Sequence, residues 1–229
     1  MKLECATCPV RERAACAALS EEERAELARL GNSRSYERGE TVFAAGDDLD
    51  ACATLTHGLL KISHLDADGN ERILSLVHPA GFVGEMFSPV ANHDVVALAE
   101  SKLCVFSRSE YEAAIDRFPA LAKALLRRSA EDLFDARAQI ALDAKQSAQA
   151  KVAHFLLAMA KAASDSPCHA AEEFELPLTR GEAGQLLGLT IETVSRQLGK
   201  LEKQGVIERT GARGIRIRDA ARLEALGAG

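Results

Sequence analysis

The sequence predicts an α+β protein in which an N-terminal β-roll, jelly-roll-like, is joined by a long helix to a C-terminal winged helix-turn-helix. Three observations carry this. From Pro119 to about Lys145 the chain reads as one helix with no glycine and no internal proline. Between Ser35 and Ser107, short Val/Ile/Leu/Phe-rich runs alternate with Gly39, Gly46, Gly58, Asp68-Gly69, Gly81 and Gly84, the texture of a small antiparallel barrel. From Thr179 to about Lys203, two short helical segments flank a Gly188-Leu-Thr190 turn.

Composition sets outer bounds. A chain of 229 residues with 47% hydrophobic and 27% charged residues is globular, with one or two domains. No apolar run approaches the ~20 residues of a membrane span, and Met1-Lys2-Leu3-Glu4-Cys5 does not resemble a signal peptide, so a cytoplasmic protein without membrane contact is expected. The net charge of −6 argues against nucleic-acid affinity over the whole surface, yet from Leu176 onward nine basic residues stand against six acidic ones. The C-terminal part is locally positive.

In chain order, Cys5-Ala-Thr-Cys8 followed by Cys16 forms a C-x2-C-x7-C array. Thiolates two residues apart can bind one metal or one face of a cluster, and three ligands leave either one short, so a distant fourth cysteine is required. A redox thiol pair is the other use of such an array. Ser20-Glu-Glu-Glu23 is a capping box that opens a helix through Leu30. The roll follows, with Asp68-Gly69 as a hairpin turn.

Pro119 suits the first turn of the long helix. Leu126, Leu133 and Ile140 recur every seven residues, and so do Ala122, Ser129, Ala136 and Asp143. This is a seam for a partner helix, with Leu126, Ser129, Leu133, Ala136 and Ile140 as its expected interface. The seam is weak, since one of its rows buries little apolar area. Beyond it, Ser147 caps a helix whose Val152, Phe155, Leu156 and Met159 form one face, and 164–173 reads as a loop.

Thr179-Arg-Gly-Glu182 is a second capping box, opening a helix that runs to Gly188. On the helix after the turn, Ile191, Val194, Leu198 and Leu201 are expected to face the core, while Glu192, Ser195 and Arg196 point outward. Arg can take guanine O6 and N7, Glu can accept from cytosine N4, and Ser can meet either. The bland alternative is a surface Glu192–Arg196 pair. Thr190, Thr193 and Arg180 are expected at phosphates. Val206–Gly211 and Gly214–Arg218 read as the hairpin of the wing.

With Glu40-Thr-Val-Phe-x-x-Gly46, Thr56-His-Gly58 and Gly81-Phe-Val-Gly84-Glu85, the roll resembles the effector domain of the CRP/FNR regulators. Gly188-Leu-Thr-Ile-Glu192-Thr-Val-Ser195-Arg196-Gln-Leu-Gly-Lys-Leu201 is similar to the recognition helix of the FNR branch, and the resemblance covers nearly the whole chain. It implies four parts: a cluster-binding N-terminus (1–20), a roll sensor (21–118), a dimerisation helix (119–145) and a DNA-binding domain (146–229). It further implies a homodimer, double-stranded DNA with TTGAT…ATCAA half-sites as partner, and RNA polymerase as a second partner.

In the oxygen-sensing branch a roll cysteine just ahead of the long helix is the fourth ligand of a [4Fe-4S] cluster. By resemblance, Cys5, Cys8, Cys16 and Cys104 are the ligands here. The gap between Cys8 and Cys16 is wider than in the best-known form, a departure a flexible loop can absorb. Cyclic-nucleotide members carry an Arg-Ser or Arg-Thr pair after Gly-Glu; here Met86–Val96 has no Arg, which counts against such a ligand. Cys52 is expected in the core and Cys168 in a loop. A zinc or thiol-redox regulator would use the same cysteines. An iron-sulfur redox enzyme is the third reading, but the sequence has no second cofactor motif, dinucleotide loop or catalytic dyad, so no enzyme is expected.

Overall fold

The computed structural model describes residues 3–143, 147–164 and 169–228, so that Lys145, Cys168 and the side chain of Asp143 lie outside it. The chain divides into two units, Met1–Asp135 and Ala136–Gly229, with the boundary inside the long helix. In the first, Ser20 opens α1 (Glu21–Leu30) through the expected box: its hydroxyl accepts the Glu23 N–H (3.2 Å) and the Glu23 carboxylate accepts the Ser20 N–H (2.8 Å).

Eight strands follow: β1 (Gly31–Tyr36), β2 (Thr41–Phe43), β3 (Ala51–His57), β4 (Leu60–Leu65), β5 (Glu71–Val77), β6 (Phe82–Val83), β7 (Asp94–Ala97) and β8 (Ser101–Ser107). The first begins at Gly31, four residues before the Ser35 boundary read from the sequence. They form two antiparallel four-stranded sheets, β1-β8-β3-β6 and β2-β7-β4-β5, whose facing sides bury Leu55, Leu60, Val83, Val95, Leu103 and Val105. The β4–β5 hairpin turns at Asp68-Gly69, where Gly69 has φ +82° and Asp66 Oδ1 accepts the Asp68 and Asn70 N–H groups. Two helices close the unit, α2 (Arg108–Arg117) and the first part of α3 (Pro119–Asp143).

The second unit holds α4 (Ala148–Ala162), β9 (Glu173–Glu175), α5 (Arg180–Leu187), α6 (Ile191–Lys203), β10 (Ile207–Thr210), β11 (Gly214–Ile217) and α7 (Ala220–Ala228). Ser147 caps α4 as expected, and Val152, Phe155, Leu156 and Met159 are buried. The wing hairpin β10–β11 gains a third strand, β9, which starts at the last residue of the 164–173 stretch read from sequence as loop and which the sequence reading does not mark. Three residues with charge at both ends carry too little alternation to register as a strand.

Candidate functional site

Side chains alternate along β8, so Leu103 and Val105 enter the roll while Cys104 and Phe106 face the other side of the sheet. Across the ladder Cys104 lies opposite Ser33 of β1 and Thr54 of β3. Two 3₁₀ turns, Cys5–Thr7 and Ala15–Ala18, fold over this outer face. As a result Cys5, Cys8, Cys16 and Cys104 line one cavity of about 30 Å³, with Leu3, Val10, Leu27, Phe106 and Tyr111 among its apolar walls. The stretch between Cys8 and Cys16 packs inward. Val10 and Ala14 are buried against Ala80, and the Ala14 N–H donates to the Val10 carbonyl at 2.9 Å.

Among the described residues no His, Asp or Glu borders the cavity; beside the four cysteines its polar lining consists of Thr54, Thr56, Tyr111, Arg11 and Arg24. Among the described residues no group of three or more His, Cys, Asp or Glu is placed to hold a single metal ion. Burial, and after it the neighbouring thiols, raise the pKa of Cys5, Cys16 and Cys104, the last to about 12. Such thiols ionise when a cationic centre sits among them. Four cysteines with no carboxylate or imidazole in the described lining suit an iron-sulfur cluster. Cys52, buried on β3, is a core residue of the packing that includes Tyr111 and Phe106.

Two arginines at this site are not singled out by the sequence reading. Arg24 is buried and donates to the carbonyls of Cys16 (Nε, 3.2 Å) and Leu19 (Nη2, 3.2 Å). Arg11 donates to the Cys5 carbonyl (3.1 Å), and both arginines pair with Glu21. The legible signal is a cation on the inward side of α1, three residues before the buried Leu27.

In the second unit Thr179 Oγ1 accepts the Glu182 N–H (3.2 Å) and the Glu182 carboxylate accepts the Thr179 N–H (2.6 Å). Gly188 ends α5 with φ +64°, and Thr190 caps α6 by accepting the Thr193 N–H (3.3 Å). The turn between them is tight: a Cβ on Gly184 would lie 2.6 Å from the Leu189 carbonyl oxygen. Val194, Leu198 and Leu201 are buried as expected, but Ile191 is 49% exposed. It is the first residue of α6, where the apolar side of the wheel projects past the core it should face. Glu192 and Arg196 are exposed and Ser195 half-buried.

Arg196 Nη2 donates to Thr193 Oγ1 (3.3 Å). The Glu192 carboxyl is held below its usual range by its own backbone N–H and the Thr190 hydroxyl. Each charge has a local hydroxyl partner, which weakens the reading of the two as a mutual surface pair. Arg209, Arg216 and Arg218 are neutralised by Glu202, Glu173 and Glu208. Among the described residues Arg180, Arg196, Lys200 and Arg213 form no ion pair. On α3, Leu126, Leu133 and Ile140 are 72%, 50% and 71% exposed, and Ser129 and Ala136 are exposed between them. Phe134, about a quarter turn round the helix from Leu133 and outside the heptad rows, is 71% exposed.

Family models match the two halves, a cyclic nucleotide-binding domain over residues 33–118 and a Crp-like helix-turn-helix domain over residues 150–226. The chain is 35% identical over 224 residues to the transcriptional activator protein FnrL of Cereibacter sphaeroides, covering 96% of this chain and 90% of that protein. The chain belongs to the CRP/FNR family of transcription regulators. Another CRP/FNR-type relative, the nitrogen fixation regulation protein FixK of Bradyrhizobium diazoefficiens, is 33% identical over 230 residues, covering 98% of this chain and 94% of FixK. The solved structure of FixK2 from Bradyrhizobium japonicum matches with a TM-score of 0.79 at 28% identity, covering 87% of this chain and 98% of that one.

As a CRP/FNR protein the chain is a DNA-binding regulator and not an enzyme. The Glu85 carboxylate accepts from the Asn92 backbone N–H (3.2 Å) and side-chain amide and pairs with His93 Nδ1 (3.0 Å), while Met86–Val96 contains no Arg or Lys. Among the described residues no helix is long and apolar enough to cross a membrane.

Proposed function

We propose that this CRP/FNR protein is a homodimeric regulator that binds TTGAT…ATCAA palindromes when oxygen is low, with a [4Fe-4S] cluster on Cys5, Cys8, Cys16 and Cys104 as its sensor. The observation that carries the reading is the convergence of four cysteines from separate stretches of chain on one largely apolar cavity, with no His, Asp or Glu among its described lining residues. When bound, the cluster supplies an oxygen-labile tie between the N-terminal segment and β8. Cys16 and Cys104 pack in the same apolar cluster as Phe118, Leu121 and Leu125 at the start of α3. Loosening the N-terminal segment therefore acts on the root of the helix that carries the seam.

Because the second seam row is Ala, Ser and Asp, a bias of only a few kcal/mol moves the population between monomer and dimer. A monomer offers one α6 and forfeits the second half-site about one DNA turn away. In each half-site Arg196 takes the guanine O6 and N7, Glu192 accepts from a cytosine N4, and Ser195 meets a neighbouring edge. Thr190, Thr193 and Arg180 fix register at phosphates. A cyclic nucleotide is not the ligand of this roll, since its phosphate would be buried without a cation beside a carboxylate already engaged by Asn92 and His93. RNA polymerase is the family-implied partner.

The deciding experiment is an absorption spectrum with iron and sulfide analysis on protein purified without oxygen, for the wild type and Cys104→Ser. Brown protein that bleaches in air, with a variant unable to hold iron, is the expected result. A colourless zinc-containing wild type would replace the oxygen sensor by a zinc or thiol one on the same cysteines and leave the DNA-binding regulator standing.

A further inference from the structure

The cysteine cavity is held by something other than its own backbone. The turns that present Cys5 and Cys16 are 3₁₀ segments of three and four residues, too short for stability of their own. Each is gripped through a carbonyl by a different guanidinium: Arg11 Nη1 reaches the Cys5 oxygen (3.1 Å), and Arg24 Nε reaches the Cys16 oxygen (3.2 Å). A single carboxylate, Glu21 in the first turn of α1, joins the two, pairing with Arg11 and with Arg24 (3.1 Å).

Arg24 is only 6% exposed. A buried guanidinium is costly unless its donors are satisfied. Here they are satisfied by Glu21 and by the carbonyls of Cys16, Ala17 and Leu19, so the charge is spent on the loop that carries a cysteine. Both arginines border the cavity itself.

We propose that Arg11, Glu21 and Arg24 form a positioning frame that fixes the Cys5 and Cys16 turns before any metal arrives and sets how long a bound cluster is retained. The inference rests on the cluster reading above for its second half only. Partners outside the ligand set of a metal centre typically change its affinity 10–100-fold. Removing the frame is therefore expected to release iron at least about tenfold faster.

The test compares wild type, Arg24→Gln, Arg24→Lys and the partly exposed Arg11→Gln, all full-length. Two quantities are measured: iron loss to a strong iron(II) chelator from anaerobically reconstituted protein, and amide hydrogen exchange of residues 4–19 in the reduced, iron-free protein. Both glutamine variants should lose iron faster and exchange faster in that segment, with thermal midpoints close to wild type for Arg11→Gln. Arg24→Lys keeps the charge but not the fork that spans several carbonyls, and should fall between. Unchanged exchange in both glutamine variants overturns the frame. Faster exchange with unchanged iron retention overturns its role in holding the cluster. A wild type that binds no iron defeats the cluster reading instead, and the exchange result still decides whether the frame exists.

Discussion

Cys52 and Cys104 sit on the same outer face of one sheet, and burial pushes both thiols up to about 12, yet only Cys104 has other thiols beside it. Position among other thiols, and not acidity alone, separates the proposed ligand from the core cysteine. Cys52→Ala is expected to keep its full iron content and to lose roughly 1 kcal/mol of stability from a small cavity; iron loss equal to that of Cys104→Ser would sink the assignment. The backbone behind Cys52 is equally constrained. Gly84 has φ +108°, and a Cβ there would lie 2.9 Å from the Cys52 Cα and Cβ. Strain and overpacking together predict that Gly84→Ala destabilises the roll by about 2–4 kcal/mol in chemical denaturation. At the reader, Arg196→Ala should weaken binding to TTGAT half-sites by roughly tenfold or more and relax the preference at the guanine. A uniform loss across sequences in a binding titration would reassign Arg196 to the phosphates.

Each element's legibility follows from how strongly its own residues specify it. Both capping boxes and the Pro119 start of α3 appear where the sequence puts them, because each rests on one or two residues acting on nearby backbone. The alternation that places Cys104 opposite the roll core is equally local. What escaped is what depends on neighbours: β9 exists because β11 offers it an edge, and α7 because Leu223 has a core to enter. The helical wheel points Ile191 inward because it cannot tell where the core ends. In the cysteine site the thiols are legible and the Arg11–Glu21–Arg24 contacts are not, since they join residues on three separate segments. At this scale the α6 cap can be measured. Thr190→Ala removes the acceptor of the Thr193 N–H and should cost the second unit about 1 kcal/mol, with Thr190→Ser restoring most of it. If Thr190→Ala leaves stability intact but weakens DNA binding, the hydroxyl serves phosphate contact and not the helix.

For the molecule as a whole, the decisive quantity is what covers α3. Leu126, Leu133 and Ile140 expose half or more of their surface along one row of a single helix, and fully burying an aliphatic side chain of this size is worth about 1.5–3 kcal/mol. A second copy can bury the stripe against itself, and a twofold interface presents every substitution twice. Leu133→Asp would thus set two carboxylates in one apolar seam, where burying charge without a partner is strongly unfavourable. The expected result is a monomer by sedimentation at concentrations where anaerobic wild type is dimeric. Binding to a two-half-site DNA should fall at least a hundredfold, while the second unit keeps its fold by circular dichroism. The asymmetry between the seam rows adds a second expectation. Ala136→Leu, by enlarging the weak row, should stabilise the dimer and make it persist after the iron is removed. A Leu133→Asp protein that still dimerises would move the interface off α3, and an Ala136→Leu dimer still dissolved by iron loss would show that the N-terminal segment acts on something other than the strength of this seam.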